Sequence, residues 1–230
     1  MNSSDTKEKA KRAAGKVAAE LIQNGMLVGL GTGSTTAFFI ESLIERCKNN
    51  GLKITAFPTS ERSAKQAIAG GISLCNENNT VRLDMTVDGA DEIDPKKRII
   101  KGGGGALLRE KIVASMSGEM IVIVDQSKLV DRLGRFPLPL EIVPFAYQAT
   151  LHKICALGYE ANLRLSDEGK LFVTDNGNYI IDITFPNQCS CPEKVEKTLK
   201  QIPGVLETGF FFGLAGRVIV GHFDGTIKYF

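Results

Sequence analysis

The residues best suited to chemistry lie in one run, KGGGGALLREK, from Lys101 to Lys111. Four consecutive glycines there separate a lysine from an apolar stretch that contains Glu110. Only glycine lets several successive backbone N–H groups turn toward one point, and such a row at a helix start binds anions. The run therefore predicts a site for a negatively charged small molecule. The alternative is a flexible loop, because glycine runs also occur in linkers.

Glu110 stands between two basic residues, and such a charged triplet most often forms a solvated helix face. Helical spacing, however, places it on one face with Ala106, Val113 and Ser117. Partial burial among these small or apolar neighbours would make Glu110 a stronger base. A solvated face and a general base are therefore the two interpretations.

Two further loops carry polar side chains directly after apolar stretches, and the first is GLGTGSTT at residues 29–36. Its Gly-x-Gly-x-Gly spacing, with no acidic residue closing the next strand, disfavours a dinucleotide site, and it lacks the Gly-Lys-Ser/Thr of an ATP-binding loop. A glycine turn with hydroxyls at a helix N-terminus suits a phosphate monoester. A turn in which Ser34 or Thr35 caps the helix is the alternative.

The second loop contains four carboxylates within seven residues, on Asp88, Asp91, Glu92 and Asp94. Their repulsion requires relief by water, a cation or a positive substrate environment. A metal site is one interpretation, although the spacing is not that of an EF-hand. Proton transfer on a sugar by Asp88 and Asp91 is a second interpretation. A solvated acidic turn is the third, and it is the expectation for Asp94.

Strands alternate with helices in the first part of the chain, which predicts a parallel, doubly wound sheet. Ligands of such a sheet bind beyond the carboxyl ends of its strands. Helices are predicted over 10–21, 36–47, 61–69 and 106–116, and strands over 26–30, 54–57, 85–87 and 120–124.

The proline-rich stretch FPLPL at 136–140 predicts a domain boundary, because proline interrupts helices and central strands. Beyond it the order strand, helix, strand, strand, helix, strand is the ferredoxin-like pattern. These elements are predicted at 140–143, 147–157, 161–165, 171–174 resuming at 179–184, 192–201 and 205–212. Two last strands, 217–222 and 226–229, are expected to return to the first domain. The predicted domains are residues 1–136 with 213–230, and residues 137–212.

Composition bounds the partners of the protein. The chain has 28 basic and 26 acidic residues, a net charge of +2, which provides no general field for nucleic acid or membranes. No stretch approaches the roughly 18 apolar residues of a membrane helix, and the start of the chain lacks the apolar core of a signal peptide. Five scattered cysteines do not suggest a disulfide framework. We expect a cytoplasmic globular protein.

Taken together, GLGTGSTT, VDGADEID, KGGGGALLREK, VDQSKLVD and FPLPLEIVP resemble ribose-5-phosphate isomerase of the A type. The resemblance runs in order through most of the chain. It implies a Rossmann-like α/β domain with a smaller ferredoxin-like α+β domain. It also implies interconversion of D-ribose 5-phosphate and D-ribulose 5-phosphate through an enediolate, in the non-oxidative pentose phosphate pathway. No metal or organic cofactor is implied, and a homodimer or homotetramer is expected.

The resemblance also implies residue roles. Glu110 would shuttle the proton between C2 and C1, Asp88 or Asp91 would assist ring opening, and Lys101 would shield the enediolate charge. Substrate contacts would come from Thr32, Gly33, Ser34, Thr35, Asp88, Gly89, Ala90, Asp91, Lys101, Gly102, Gly103, Gly104 and Lys128. One departure is the fourth glycine, Gly105, because the run more often reads as three glycines followed by alanine.

Two rival functions belong to other classes. A sugar-phosphate-sensing transcriptional regulator would need a DNA-binding module, but the first helix leads directly into a core strand and no basic segment is present. A coenzyme A transferase with a glutamate nucleophile would need a larger substrate groove, and a thioester trapped on Glu110 would favour it.

Overall fold

The computed structural model describes residues 3–230, with side chains from residue 5 onward. The first half of the chain forms α1 (Ser3–Glu20), β1 (Leu27–Leu30), α2 (Ser34–Asn50), β2 (Thr55–Pro58), α3 (Glu61–Ala69), β3 (Ser73–Leu74), β4 (Met85–Asp88), β5 (Glu92–Ile93), β6 (Ile99–Ile100) and α4 (Leu107–Ser115). The second half forms β7 (Met120–Asp125), a 3-10 turn (Gln126–Lys128), β8 (Leu138–Ile142), α5 (Tyr147–Ala156), β9 (Glu160–Leu163), β10 (Tyr179–Thr184), α6 (Pro192–Leu199), β11 (Val205–Thr208), β12 (Phe210–Phe211), β13 (Ala215–Gly221) and β14 (Ile227–Tyr229).

The chain divides into two compact units. Of the described residues, the first unit contains 3–90, 109–129 and 214–230, and the second contains 91–108 and 130–213. The division groups residues 91–108, 130–136 and 213 with the second unit, whereas the sequence analysis places them in the first domain. Residues 1 and 2 of the predicted first domain lie outside the described residues. The predicted domain boundaries stay a prediction.

The first unit is built on a seven-stranded sheet in the order β14-β13-β7-β4-β1-β2-β3. The pairs from β13 through β7, β4, β1 and β2 to β3 are all parallel. Every residue of β4 and β7 is buried, as expected for central strands covered on both faces. The predicted parallel α/β sheet is confirmed.

The last two strands complete this sheet. Strand β13 pairs with β7 in parallel, and β14 pairs with β13 in antiparallel orientation. The prediction that the end of the chain returns to the first sheet is therefore confirmed. Helix α1 also packs against this end of the sheet, and its alanines at four-residue spacing, Ala10, Ala14 and Ala18, are fully buried.

The second unit contains a four-stranded antiparallel sheet in the order β11-β8-β10-β9. With α5 after β8 and α6 after β10, this is the predicted ferredoxin-like order. Its core is apolar and includes Leu138, Leu140, Ile181 and Ile183. A three-stranded sheet, β12-β6-β5, belongs to the same unit. The predicted strand 171–174 is reduced to isolated bridges from Leu171 to Leu165 and from Val173 to Tyr179.

The prediction that the proline-rich stretch interrupts a central strand is wrong. Pro139 lies inside β8, which is flanked by β10 and β11. The carbonyl of Pro139 accepts a hydrogen bond from Gly209 N–H at 2.7 Å. In this antiparallel pairing a residue other than proline at position 139 would direct its own N–H to the carbonyl of Gly209. The carbonyl of Gly209, which would accept that N–H, instead accepts from Lys101 N–H at 2.8 Å. Proline is tolerated because another donor satisfies its would-be acceptor.

Candidate active site

The first candidate loop joins β1 to α2 and holds the carboxylate of Asp88. Thr32 N–H donates to Asp88 Oδ1 at 3.1 Å, and Gly89 N–H donates to the same oxygen at 2.7 Å. A Cβ atom at Gly31 would overlap the Asp88 carboxyl group, so only glycine allows this close approach. Asp88 is 1% exposed, and the two N–H donors compensate its buried charge.

The start of α2 differs from the capped turn considered as the alternative. Gly33 is the N-cap, and Ser34 and Thr35 lie inside the helix, so neither caps it. Over the described part of the chain, no side chain accepts a hydrogen bond from this first turn in the manner of an N-cap. The helix dipole and the backbone N–H groups of the first turn of α2 therefore favour an anion at the N-terminus of this helix.

Lys11 brings a positive charge to this loop, which the sequence reasoning missed. Its Nζ lies 2.9 Å from Ser34 Oγ. Lys11 follows the buried Ala10 on α1, and a lysine in a helix usually indicates nothing more than a solvent-exposed position. The Thr32 hydroxyl, by contrast, lies 2.7 Å from the Thr59 hydroxyl, which donates to Leu30 O at 3.1 Å. The hydroxyl proton of Thr32 is therefore directed to Thr59.

Helix α4 runs antiparallel to the strands of the first unit. Just beyond its end, Gly118 N–H donates to Leu83 O, which lies before the start of β4. A Cβ atom on Gly29 of β1 would meet Val113 Cγ1 at 2.8 Å, so the middle of the helix packs on the middle of the sheet. Glu110 precedes Val113 by about one turn and therefore lies toward the carboxyl edge.

Two observations agree with that placement of Glu110. Its neighbour Arg109 forms an ion pair of 3.7 Å with Glu61, the first residue of the helix that follows β2. Glu110 itself is 4% exposed, and Ala106 and Val113 on the same face are buried. The solvated-face interpretation is therefore wrong, because the side chain is removed from bulk water.

Lys128 also follows the carboxyl end of a strand in this unit. It ends the 3-10 turn after β7, and Asp125 caps that turn by accepting from Ser127 N–H at 2.9 Å. Strands β7, β4 and β1 are neighbours in the parallel sheet. The first unit therefore brings Thr32 to Thr35, Asp88, Glu110 and Lys128 to one edge of the sheet.

Asp91 and the glycine run lie in the second unit and contact each other. Gly103 N–H donates to Asp91 Oδ2 at 2.7 Å, so the run already binds one carboxylate. Lys101 is 2% exposed, its N–H donates to Gly209 O, and its Nζ lies 5.7 Å from the centre of the Phe211 ring. These contacts fix the loop in place beside the buried Lys101 side chain, which disfavours the flexible-loop interpretation.

The other acidic residues of the second loop have structural partners. Glu92 accepts from Gly134 N–H at 2.7 Å and from Phe136 N–H at 2.6 Å. Asp94 accepts from Arg98 Nε at 2.7 Å and is 1% exposed, so the prediction of a solvated turn at Asp94 is wrong. Separate donors relieve the repulsion among the carboxylates. Within residues 3–230 no cluster of three or more metal-ligating side chains occurs.

Burial also changes the protonation of Glu92. Removal from water raises the pKa of its carboxyl group above the ordinary value, while the N–H groups of Gly134 and Phe136 and the charge of Arg135 act in the opposite direction. Glu92 is thus a buried carboxyl group with a structural role.

Comparison with known proteins decides the family. The sequence matches the family described as ribose 5-phosphate isomerase A (phosphoriboisomerase A) over residues 55–225. The chain belongs to the ribose 5-phosphate isomerase A family. Ribose-5-phosphate isomerase A of Protochlamydia amoebophila is 53% identical over 220 residues, which cover 96% of this chain and 94% of that protein. Ribose-5-phosphate isomerase A 1 of Oceanobacillus iheyensis is 48% identical over 217 residues, with coverages of 94% and 96%.

Solved structures of ribose 5-phosphate isomerases share the fold. A D-ribose-5-phosphate isomerase in complex with phospho-erythronic acid is 40% identical with a TM-score of 0.92, over 100% of this chain and 99% of that chain. Ribose 5-phosphate isomerase A from Methanocaldococcus jannaschii is 38% identical with a TM-score of 0.91, over 97% and 98%. The predicted membership of the ribose 5-phosphate isomerase A family, the predicted class of aldose–ketose isomerase and the predicted fold class are thus confirmed. None of the helices between residues 3 and 230 has the length and apolar character needed to span a bilayer.

Proposed function

We propose that this chain interconverts D-ribose 5-phosphate and D-ribulose 5-phosphate by an enediolate mechanism with Glu110 as the base. The observation that carries the proposal is the position of Glu110, a nearly buried carboxylate in the first turn of α4, directly after the glycine run. Removal of a proton from a carbon next to a carbonyl group needs a positioned base and groups that stabilise the developing oxyanion. This stretch of chain supplies both groups.

The phosphate group is assigned to the first loop. The backbone N–H groups of Gly33, Ser34 and Thr35 lie at the start of α2, and Lys11 supplies a positive charge beside Ser34. Lys128, at the same sheet edge, is a further cation for the substrate. Amides, a helix dipole and lysine together suit a phosphate dianion better than a neutral sugar.

Ring opening is assigned to the aspartates. The furanose form of the substrate opens when a proton leaves its C1 hydroxyl and another reaches the ring oxygen. The carboxylates of Asp88 and Asp91 can accept hydrogen bonds from sugar hydroxyls, and Gly89 and Ala90 lie between them in the chain. Asp88 accepts hydrogen bonds from the N–H groups of Thr32 and Gly89, and Asp91 accepts one from the N–H of Gly103. Either residue suits the proton transfer.

The isomerisation step follows from the open-chain aldehyde. Glu110 removes the C2 proton, the electron pair moves toward O1, and an enediolate forms. The Lys101 amine and the N–H groups of Gly102 and Gly104 then stabilise the negative oxygen, while the N–H of Gly103 holds Asp91 in place. Glu110 returns the proton to C1, and movement of the hydroxyl proton from O2 to O1 completes the ketose. Atoms balance without any metal or cofactor.

The relative solved with phospho-erythronic acid supports this assignment. Phospho-erythronic acid carries both a phosphate and a carboxylate, so it would suit a site with two anion-binding parts. In this chain the α2 N-terminus and the glycine run are two such parts. A cytoplasmic location and a homodimer or homotetramer stay predictions.

The direct test is proton NMR of D-ribose 5-phosphate incubated with the purified chain. We expect D-ribulose 5-phosphate to appear, and unphosphorylated D-ribose to remain unchanged because it lacks the group that the first loop binds. An absence of ketose at high enzyme concentration would contradict the proposal. Slow conversion of both sugars at equal rates would contradict the phosphate assignment alone.

A further inference from the structure

Arg164, which has no role in the proposed chemistry, contacts the backbone of the glycine run. Its Nη1 donates to Gly102 O at 2.8 Å and to Gly103 O at 3.1 Å. All three residues belong to the second unit. One guanidinium group therefore binds two successive peptide carbonyls of the loop that is proposed to stabilise the enediolate.

These contacts set the direction of two N–H groups. In a trans peptide the C=O of one residue and the N–H of the next point in opposite directions, and no cis peptide occurs between residues 3 and 230. The carbonyls of Gly102 and Gly103 point toward Arg164, so the N–H groups of Gly103 and Gly104 point away from it. The N–H of Gly103 does meet an anionic oxygen there, Asp91 Oδ2.

Arg164 is itself held rigidly. Its Nε donates to Asp182 Oδ2 at 2.8 Å, and its Nη2 pairs with Asp182 Oδ1, which gives a two-point ion pair. Its backbone N–H donates to Ile180 O at 2.8 Å, and its carbonyl accepts from Phe172 N–H at 2.9 Å. The guanidinium is therefore presented from an ordered sheet edge, so little entropy is lost on holding the loop.

Phe172 adds a second contact to the same loop. The Arg164 guanidinium lies 5.8 Å from the centre of the Phe172 ring. A Cβ atom on Gly105 would overlap that ring, and Gly105 has a φ of 79°, where other residues are strained. The fourth glycine, which departs from the usual run of three, thus makes room for Phe172.

We propose that Arg164 is a positioning residue that holds the Gly103 N–H on Asp91 and orients the N–H of Gly104 toward the enediolate. The inference rests on the proposed function, because it deepens the role of the glycine run. It predicts that loss of Arg164 impairs the charged transition state more than it impairs binding of the phosphate end of the substrate. A purely structural ion pair would not produce that selectivity.

The test compares Arg164→Ala, Arg164→Lys and Asp182→Asn with the wild type. In Arg164→Ala we expect kcat to fall on the order of 10- to 100-fold while KM changes less than about threefold, since misplaced groups lower the rate more than binding. Arg164→Lys keeps the charge but not the planar guanidinium, and Asp182→Asn weakens the ion pair that holds Arg164. Both variants should therefore have kcat values between those of Arg164→Ala and the wild type. Phospho-erythronic acid should bind Arg164→Ala more weakly, whereas inorganic phosphate should compete as before.

Arg217→Ala is the matched control, because Arg217 forms a similar two-point ion pair with Glu119 within the first unit. Amide hydrogen exchange of residues 101–106 gives a readout independent of turnover, and it should accelerate in Arg164→Ala only. The positioning role is overturned if the wild type is active and Arg164→Ala is equally active. It is also overturned if kcat falls equally in Arg164→Ala and Arg217→Ala. A wild type that does not isomerise ribose 5-phosphate overturns the proposed function instead.

Discussion

Gly31 leaves the space that the Asp88 carboxyl group fills, because a Cβ atom at residue 31 would overlap that group. We expect Gly31→Ala to displace Asp88 and to destabilise the fold by about 1–3 kcal/mol, the usual cost of overpacking a tight site. Thermal unfolding and turnover of ribose 5-phosphate measure the two effects.

The control for Gly31→Ala is Gly89→Ala, where the nearest atom to a new Cβ would be 3.8 Å away. This variant should unfold within about 0.5 kcal/mol of the wild type, as expected without a clash. Equal stability of the two alanine variants would contradict the claim that Asp88 needs the space left by Gly31.

Lys11 is expected to bind the substrate phosphate. Lys11→Ala should lower kcat/KM by about 10- to 100-fold, because a hydrogen bond to a charged group contributes about 1.5–3 kcal/mol. The loss should appear mainly in KM, since the phosphate group is remote from the reacting carbons. Lys9→Ala is the control, because Lys9 lies two residues away on α1 and its Nζ contacts Asp224 O instead. A similar loss in both variants would indicate a general effect of charge on α1.

Turnover should survive exhaustive dialysis against EDTA. The proposed chemistry uses a carboxylate base, a lysine and backbone N–H groups, so no Lewis acid is needed. Residual activity is measured before and after chelation. Loss of turnover that a divalent ion restores would assign a metal to the acidic loop.

Glu92 should make stability depend on pH. Burial raises its pKa in the folded state, so the folded protein holds more protons than the unfolded chain between the ordinary and the raised pKa values. Its contribution to stability is therefore fully present below the ordinary pKa and is lost as the pH rises through the folded pKa.

The variant Glu92→Gln isolates this effect. It should be less stable by about 1–3 kcal/mol at a pH below the ordinary pKa of glutamate, because an amide has one acceptor oxygen, whereas Gly134 N–H and Phe136 N–H donate to two different oxygens of Glu92. The difference in free energy of unfolding between the variant and the wild type should narrow as the pH rises through the folded-state pKa of Glu92. Urea unfolding at several pH values measures it, and a gap that widens with pH would show that the folded-state pKa of Glu92 is lowered.

Local patterns in the sequence predicted much of the fold. Buried runs such as Met120 to Val124 and the alanine spacing of α1 identified elements whose period and burial are local properties. The burial of Glu110 and of Val113, which lies about one turn further along α4, agrees with the face predicted from helical spacing.

The errors concern partners that are distant along the chain. Pro139 is accepted in a central strand because Lys101, which is distant along the chain, donates to Gly209. Asp94 is an exception, because its partner Arg98 is only four residues away. The contacts of Lys11 with Ser34 and of Arg164 with Gly102 join residues separated by 23 and 62 positions. Tertiary contacts of this kind leave no periodic signal in a single sequence.

The central claim is that Glu110 carries the proton, and exchange of the substrate C2 hydrogen with solvent tests it most directly. The variant Glu110→Gln keeps the size of the side chain and removes the base. In deuterium oxide we expect the wild type to exchange C2 hydrogen, and Glu110→Gln to lose exchange and turnover together by about 10²- to 10⁴-fold, while ribose 5-phosphate still binds. Exchange and turnover at wild-type rates in Glu110→Gln would contradict the mechanism.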